Sequence, residues 1–130
     1  MAGWDDVRQI ALSLPETSER RSRDLRQWRV KDTPFVWERP LRQADIAALG
    51  DDVPHGPILG IRVEHVVAKE ALLADDPAVF FTTPHFDGYP AVLVRLDAIA
   101  VEELREVIVE AWLARAPKRL AREYVDTSLG

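Results

Sequence analysis

Residues 79–96 read VFFTTPHFDGYPAVLVRL, and this stretch predicts the kind of sheet that the chain forms. VFFTT (79–83) and AVLVRL (91–96) are rich in aromatic and β-branched residues, which favour strands. The Asp87–Gly88 pair between them is typical of a turn, because glycine tolerates a positive φ and aspartate bonds to nearby backbone. The stretch therefore predicts two strands joined as an antiparallel hairpin.

The connection between these strands carries three polar or aromatic side chains at alternate positions, His85, Asp87 and Tyr89. A metal site would need further ligands in a defined geometry, and nothing in the spacing supplies them. The flanking prolines, Pro84 and Pro90, stand at strand ends, where a missing amide proton costs least. We interpret these alternating side chains as structural parts of the connection between the two strands. We expect this hairpin-tip loop to contact a partner rather than to catalyse a reaction.

Hydrophobic periodicity extends this pattern along the chain. Apolar residues at helical spacing predict a first helix and a long late helix, followed by a further helical piece, and short β-rich runs predict three more strands. Strands grouped as hairpins with helices at both ends predict an α+β fold of two layers. In this fold an antiparallel sheet of about five strands carries the N-terminal and C-terminal helices. The predicted helices are 5–14, 66–77, 101–117 and a piece from 118; the strands are 25–30, 34–40 and 58–63; 15–24 is loop, and 41–57 is loop with one helical turn ended by Gly50.

Length and composition restrict the class of protein to which the chain can belong. The 130 residues predict a single domain over 1–130, large enough to fold without disulfides or metal. A content of 47% hydrophobic and 30% charged residues is that of a globular chain, not a disordered one. The sequence has no cysteine, which excludes disulfide scaffolds, thiolate zinc sites and cysteine nucleophiles. No apolar run approaches a membrane span, so we expect a cytoplasmic protein without a membrane partner.

The charge is unevenly distributed. The net charge is −5, yet residues 20–42 contain eight basic and three acidic residues, so this window carries +5 and the remainder −10. A local basic surface on an otherwise acidic protein can still meet phosphate.

Motifs of enzymes are missing from the sequence. There is no GxSxG elbow, no phosphate-binding GxxxxGK[ST] loop and no GxGxxG. The three histidines, His55, His65 and His85, do not stand at the spacing of metal ligands on a helix. We therefore expect a protein that is not an enzyme and has neither a metal site nor a cofactor.

The C-terminal half resembles a known family. Residues 72–124 contain ADDPAVFFTTPHF, then GYPAVLVRLD, then EAWLARAPKRL, and LSLPETSE (12–19) precedes them. These segments closely resemble the MmcQ/YjbR family of small bacterial proteins. The resemblance implies a compact fold similar to those of frataxin/CyaY and of secretion chaperones, with helices packed on an antiparallel sheet. It also implies DNA binding through a "double wing" of β-hairpins.

The resemblance and the basic window together lead to a first hypothesis of DNA binding, with phosphates contacted by two basic patches. The alternative is an adaptor that binds a protein partner. Under either hypothesis we expect a monomer or a weak homodimer. A frataxin-like metal surface on Asp5, Asp6, Glu16 and Glu19 ranks below both. The predicted DNA-contacting residues are Arg20, Arg21, Arg23, Arg26, Arg29 and Lys31 in the first patch and Lys118, Arg119 and Arg122 in the second, with His85, Asp87 and Tyr89 in the hairpin-tip loop.

Overall fold

The computed structural model describes residues 2–129, which form six strands and five α-helices. The strands are β1 (Thr17–Ser22), β2 (Leu25–Val30), β3 (Thr33–Glu38), β4 (Ile58–Arg62), β5 (Phe80–Phe81) and β6 (Ala91–Arg95). The helices are α1 (Trp4–Ser13), α2 (Gln43–Leu49), α3 (Val66–Asp75), α4 (Val101–Arg115) and α5 (Lys118–Leu129). Among these residues, none of the helices combines the length and apolarity that crossing a bilayer requires.

The strands form one open antiparallel sheet in the order β1-β2-β3-β4-β6-β5. The predicted α+β class is therefore confirmed. The hairpin prediction for residues 79–96 is confirmed as well, since β5 and β6 are adjacent and antiparallel. However, β5 is only two residues long, and Pro84–Phe86 forms a 3₁₀ turn inside the connection. We call residues 82–90 the tip loop.

The prediction of a loop over residues 15–24 was wrong, because Thr17–Ser22 forms the edge strand β1 and raises the sheet from about five strands to six. All six side chains of β1 are polar or charged, so the strand has no apolar alternation that a sequence pattern could reveal. Its position comes from pairing with every residue of β2. Arg23 and Asp24 join the two strands with φ values of 52° and 64°, as the two-residue turns that suit hairpin twist require.

The main core lies between one face of the sheet and helices α1 and α4. Strand residues such as Leu59 and Val92 pack there against helix residues such as Ile10 and Ile108. Trp112 of α4 is fully buried, and its indole N–H donates to the carbonyl of Pro15 at 3.1 Å. This contact fastens the end of α4 to the segment that leads into β1.

The opposite face of the sheet carries a smaller apolar cluster, made by Ile58, Phe81, Phe86, Ala91 and Leu93. Helix α2 and the tip loop cover this cluster on the β4–β6 side. Over β2 and β3 the same face stays open and forms a groove.

Candidate nucleic-acid interface

The groove on this face is strongly basic. It has a volume of about 560 Å³, and its rim and floor come from β2, β3, the start of α2 and the tip loop. We call it the arginine groove, because six arginines line it together with His85, whereas Glu38 is the one acidic residue among its described lining residues. The six are Arg23, Arg26, Arg39, Arg42, Arg62 and Arg115.

An aromatic side chain forms part of the floor. Trp37 of β3 pairs with Gln27 of β2, and both line the groove. The five-membered ring of Trp37 occupies the space that a side chain at Gly60 would fill, since a Cβ there would be 2.3 Å from Trp37 Nε1. The absence of a side chain at Gly60 permits this close approach. Trp37 therefore packs on Gly60 and against the smaller apolar cluster, and it also lines the groove.

One wall of the groove joins Arg62 to the tip loop. Arg62 Nη1 donates to the hydroxyl of Tyr89 at 2.8 Å, and its guanidinium carbon lies 4.8 Å from the centre of the Tyr89 ring. The Nε atoms of Arg62 and Arg115 are buried, and neither has a hydrogen-bond partner among residues 2–129. This part of the groove thus holds donors that lack an acceptor.

A buried ion pair fixes the base of the groove. Arg39 Nη2 and Asp45 Oδ2 are 3.0 Å apart, and the two side chains are 7% and 4% exposed. Burial alone would raise the pKa of Asp45, but the backbone N–H of Arg42 and the charge of Arg39 outweigh it, so the pKa lies below its ordinary value. Asp45 is therefore ionised at neutral pH and neutralises Arg39 inside the protein.

A buried lysine holds the tip loop in place. Lys69 of α3 is 5% exposed, and its Nζ donates to the carbonyl oxygens of Phe86 and, at 3.0 Å, of Tyr89. Burial lowers the pKa of Lys69, and Asp87 opposes this shift. The loop that presents His85 and Tyr89 to the groove is consequently fixed from beneath.

The structure brings four of the residues predicted as candidate site residues to this groove: Arg23, Arg26, His85 and Tyr89. Arg26 is already paired with Glu38 at 2.9 Å, which raises the pKa of Arg26.

The remaining predicted basic residues lie elsewhere, and several are paired with acids. Arg20 lies 3.4 Å from Asp32, and Arg29 donates to the side chain of Gln27. Arg21, Lys118 and Arg122 are exposed and do not line the arginine groove. Asp87 of the tip loop is likewise exposed outside it.

Lys31 and Arg119 line a different, smaller groove of about 260 Å³. Two glutamates share it, since Lys31 is 3.7 Å from Glu16 and Arg119 is 3.3 Å from Glu123. The first predicted patch is therefore divided between two grooves, and its Lys31 shares the second groove with Arg119 of the other patch. Two cations and two glutamates leave this second groove close to electrically neutral.

Sequence reasoning did not select Trp37, Arg39, Arg42, Arg62 and Arg115 as site residues. Arg39 and Arg42 fall within the basic window, and alternation along ILGIR places Arg62 on the face of Gly60. No sequence signal places Arg115, because it belongs to the far end of α4.

Trp28 and Trp37 belong to the neighbouring strands β2 and β3. The structure separates the two tryptophans, because Trp28 is fully buried on the helix side of the sheet. Arg26 lies beside Trp28, with its guanidinium carbon 5.8 Å from the centre of that ring.

Two further surfaces bear on the alternative functions. A mainly apolar groove of about 230 Å³ runs between α3 and α4, lined by residues such as Val63, Leu72 and Val107. The acidic residues considered for metal are dispersed: Asp6 accepts from the N–H of Gly3, and Glu19 pairs with Arg8 at 3.0 Å. Within residues 2–129, no three histidine, aspartate or glutamate side chains converge on a point where they could hold a metal ion.

Comparison with known proteins gives consistent matches. The sequence model of a family described as YjbR matches residues 12–114. The uncharacterised proteins Rv2570 of Mycobacterium tuberculosis and Mb2600 of Mycobacterium bovis are each 52% identical to this chain over 131 aligned positions, which cover 98% of it and 99% of them. The crystal structure of Deinococcus radiodurans protein DR2400, with its domain DUF419, superposes with a TM-score of 0.65 at 21% identity and covers 87% of this chain and 78% of that one.

Proposed function

This chain belongs to the YjbR family, and on that premise we propose that it is a DNA-binding protein that holds the phosphate backbone in the arginine groove. The observation that carries the proposal is the composition of the groove: six arginines and a histidine against one glutamate. No catalytic step is part of the proposal.

The contrast with the rest of the molecule supports this assignment. The whole chain carries −5, so most of its surface repels a polyanion, whereas a cleft lined by one sign of charge attracts it. Every cation among the described lining residues, His85 apart, is an arginine rather than a lysine. The planar guanidinium donates two parallel hydrogen bonds to a phosphate, which a lysine ammonium does not.

The arginines divide into two roles under this proposal. Arg26 and Arg39 are neutralised by Glu38 and Asp45, so they shape the groove. The other four have no ion-pair partner among residues 2–129 and would contact the phosphates: Arg23, Arg42, Arg62 and Arg115. Two β connections, the turn at Arg23 and the tip loop, border the groove, which suits a ligand held between two wings.

Fluorescence anisotropy with a short labelled DNA tests the proposal. We expect salt-dependent binding, weakening steeply between about 50 and 200 mM salt. Substitution of Arg42→Gln, Arg62→Gln or Arg115→Gln should weaken binding and reduce the salt slope by about 0.7–0.9 for each phosphate that the variant no longer neutralises. Arg119→Gln and Arg122→Gln on α5 are matched controls that remove the same charge outside the groove.

Two results would reject the proposal. One is the absence of binding at tens of micromolar protein in low salt, because even non-specific DNA binders reach roughly 10⁻⁴ to 10⁻⁶ M at physiological salt. The other is an equal loss of affinity for groove and α5 variants. The adaptor function stays a prediction, and the apolar groove between α3 and α4 is the surface that would serve it.

A further inference from the structure

We propose that the groove takes DNA as a single strand, with a base stacked on Trp37 and the flanking phosphates on the arginines. This inference rests on the proposed function and names its ligand class. It is carried by the placement of one aromatic ring within the arginine groove.

Trp37 has the geometry of a fixed platform. A Cβ at Gly60 would lie 2.3 Å from Nε1, 2.4 Å from Cε2 and 2.9 Å from Cδ1 of the indole, so the ring and the Gly60 backbone are in close contact. The residue as a whole is half-buried, and it lines the groove. A ring that is already immobilised loses little conformational freedom when a base stacks on it.

The walls of the groove suit the rest of a nucleotide. The tip loop brings His85 and Phe86 to the groove as an edge-to-face pair with ring centres 4.8 Å apart, and Tyr89 beside them is 45% exposed. The volume of about 560 Å³ falls in the range of small-ligand sites, roughly 300–1,000 Å³. Proteins that bind single strands combine such aromatic surfaces with a basic groove along the backbone.

The preference for single-stranded over duplex DNA follows from the stacking of a base on Trp37. In a duplex, each base is stacked between its neighbours and paired, so its face is not available to a side chain. A single strand offers the free faces of its bases at no pairing cost. Its phosphates can meet the guanidinium groups of Arg42, Arg62 and Arg115, which line the same groove as Trp37.

The experiment compares three labelled DNAs of equal length: an oligothymidine strand, an abasic strand with the same phosphates, and a duplex. We expect oligothymidine to bind about 5- to 150-fold more tightly than the abasic strand, the range of one base–aromatic stack. Trp37→Leu should remove this difference between the two strands. Trp37→Phe should keep part of the difference. Trp4→Leu is the control, because Trp4 lies on the helix side, stacked against Trp28.

The outcomes separate this inference from the function on which it rests. Equal affinity for oligothymidine and the abasic strand, or preference for the duplex, would overturn the inference while DNA binding stands. Failure of all three DNAs to bind would overturn both. The comparison of oligothymidine with the abasic strand uses the unaltered protein, so it decides the matter even where a Trp37 variant fails to fold.

Discussion

Trp37 and Gly60 occupy neighbouring strands in direct register, and the indole fills the space over the glycine, where a Cβ would stand 2.3 Å from Trp37 Nε1. The indole can therefore occupy this position only because residue 60 has no side chain. Because the indole also lines the arginine groove, this contact links the packing of the sheet to the shape of the candidate site.

Gly60→Ala should therefore displace Trp37. We expect a loss of about 1–3 kcal/mol in the free energy of unfolding, the usual cost of forcing extra volume into a packed site. Urea denaturation of Gly60→Ala in the wild-type and in the Trp37→Leu background measures the coupling. An equal cost in both backgrounds would show that the glycine is not required by the tryptophan.

The Arg39–Asp45 pair should be a strong determinant of stability. Asp45→Asn leaves the buried guanidinium of Arg39 without its counter-charge, and we expect a loss of about 3–5 kcal/mol in the free energy of unfolding. The matched control is the double change of Arg39→Met with Asp45→Leu, which removes both charges and should recover most of the loss. A single substitution no worse than the double one would contradict a charge-based origin.

The contribution of Asp45 should depend on pH with a definite sign. Its pKa in the folded protein lies below the ordinary value of 3.8, so the unfolded chain binds a proton more readily than the folded one. The stabilisation is then complete above about pH 4 and is lost as pH falls through the folded-state pKa. Urea denaturation at a series of pH values should show wild type and Asp45→Asn converging in acid; a difference that grew in acid would contradict this.

Lys69→Met should loosen the tip loop. The substitution removes one donor from each of the carbonyl oxygens of Phe86 and Tyr89, which keep a backbone N–H each, and a hydrogen bond to a charged group contributes about 1.5–3 kcal/mol. Relief of the buried charge offsets part of this cost, so the clearer measurement is hydrogen exchange of the amides of residues 85–89, which should speed up. Lys118→Met, at an exposed site on α5, is the control. Unchanged exchange in the loop would mean that Lys69 does not hold it.

Much of the fold could be predicted from the sequence because its elements follow hydrophobic periodicity. Helix α4 carries apolar residues at helical spacing, β2 alternates over part of its length, and β4 and β6 are short, almost continuous apolar runs. Strand β1 could not be predicted in this way. Its residues are polar, and it is a strand because β2 offers a free edge with which it pairs.

The candidate site was only partly predictable, for a related reason. His85 and Tyr89 belong to one short segment, so their pattern is visible in sequence. Arg62 and Arg115 meet them only through tertiary packing. Lys69 has no sequence signal, since a buried lysine between carbonyl oxygens looks the same in sequence as a solvated one.

The most direct test of DNA binding in the arginine groove is a heteronuclear NMR titration with a single-stranded oligothymidine. The signals to follow are those of the indole N–H groups. The chain has four tryptophans, and two of their indole N–H groups are fixed inside the protein, Trp28 on Glu19 and Trp112 on Pro15. We expect the Trp37 indole signal to shift to saturation together with the amides of β2, β3 and the tip loop, while the signals of Trp28 and Trp112 stay in place. Shifts confined to α5, or no shift at Trp37 when the DNA is bound, would contradict the account.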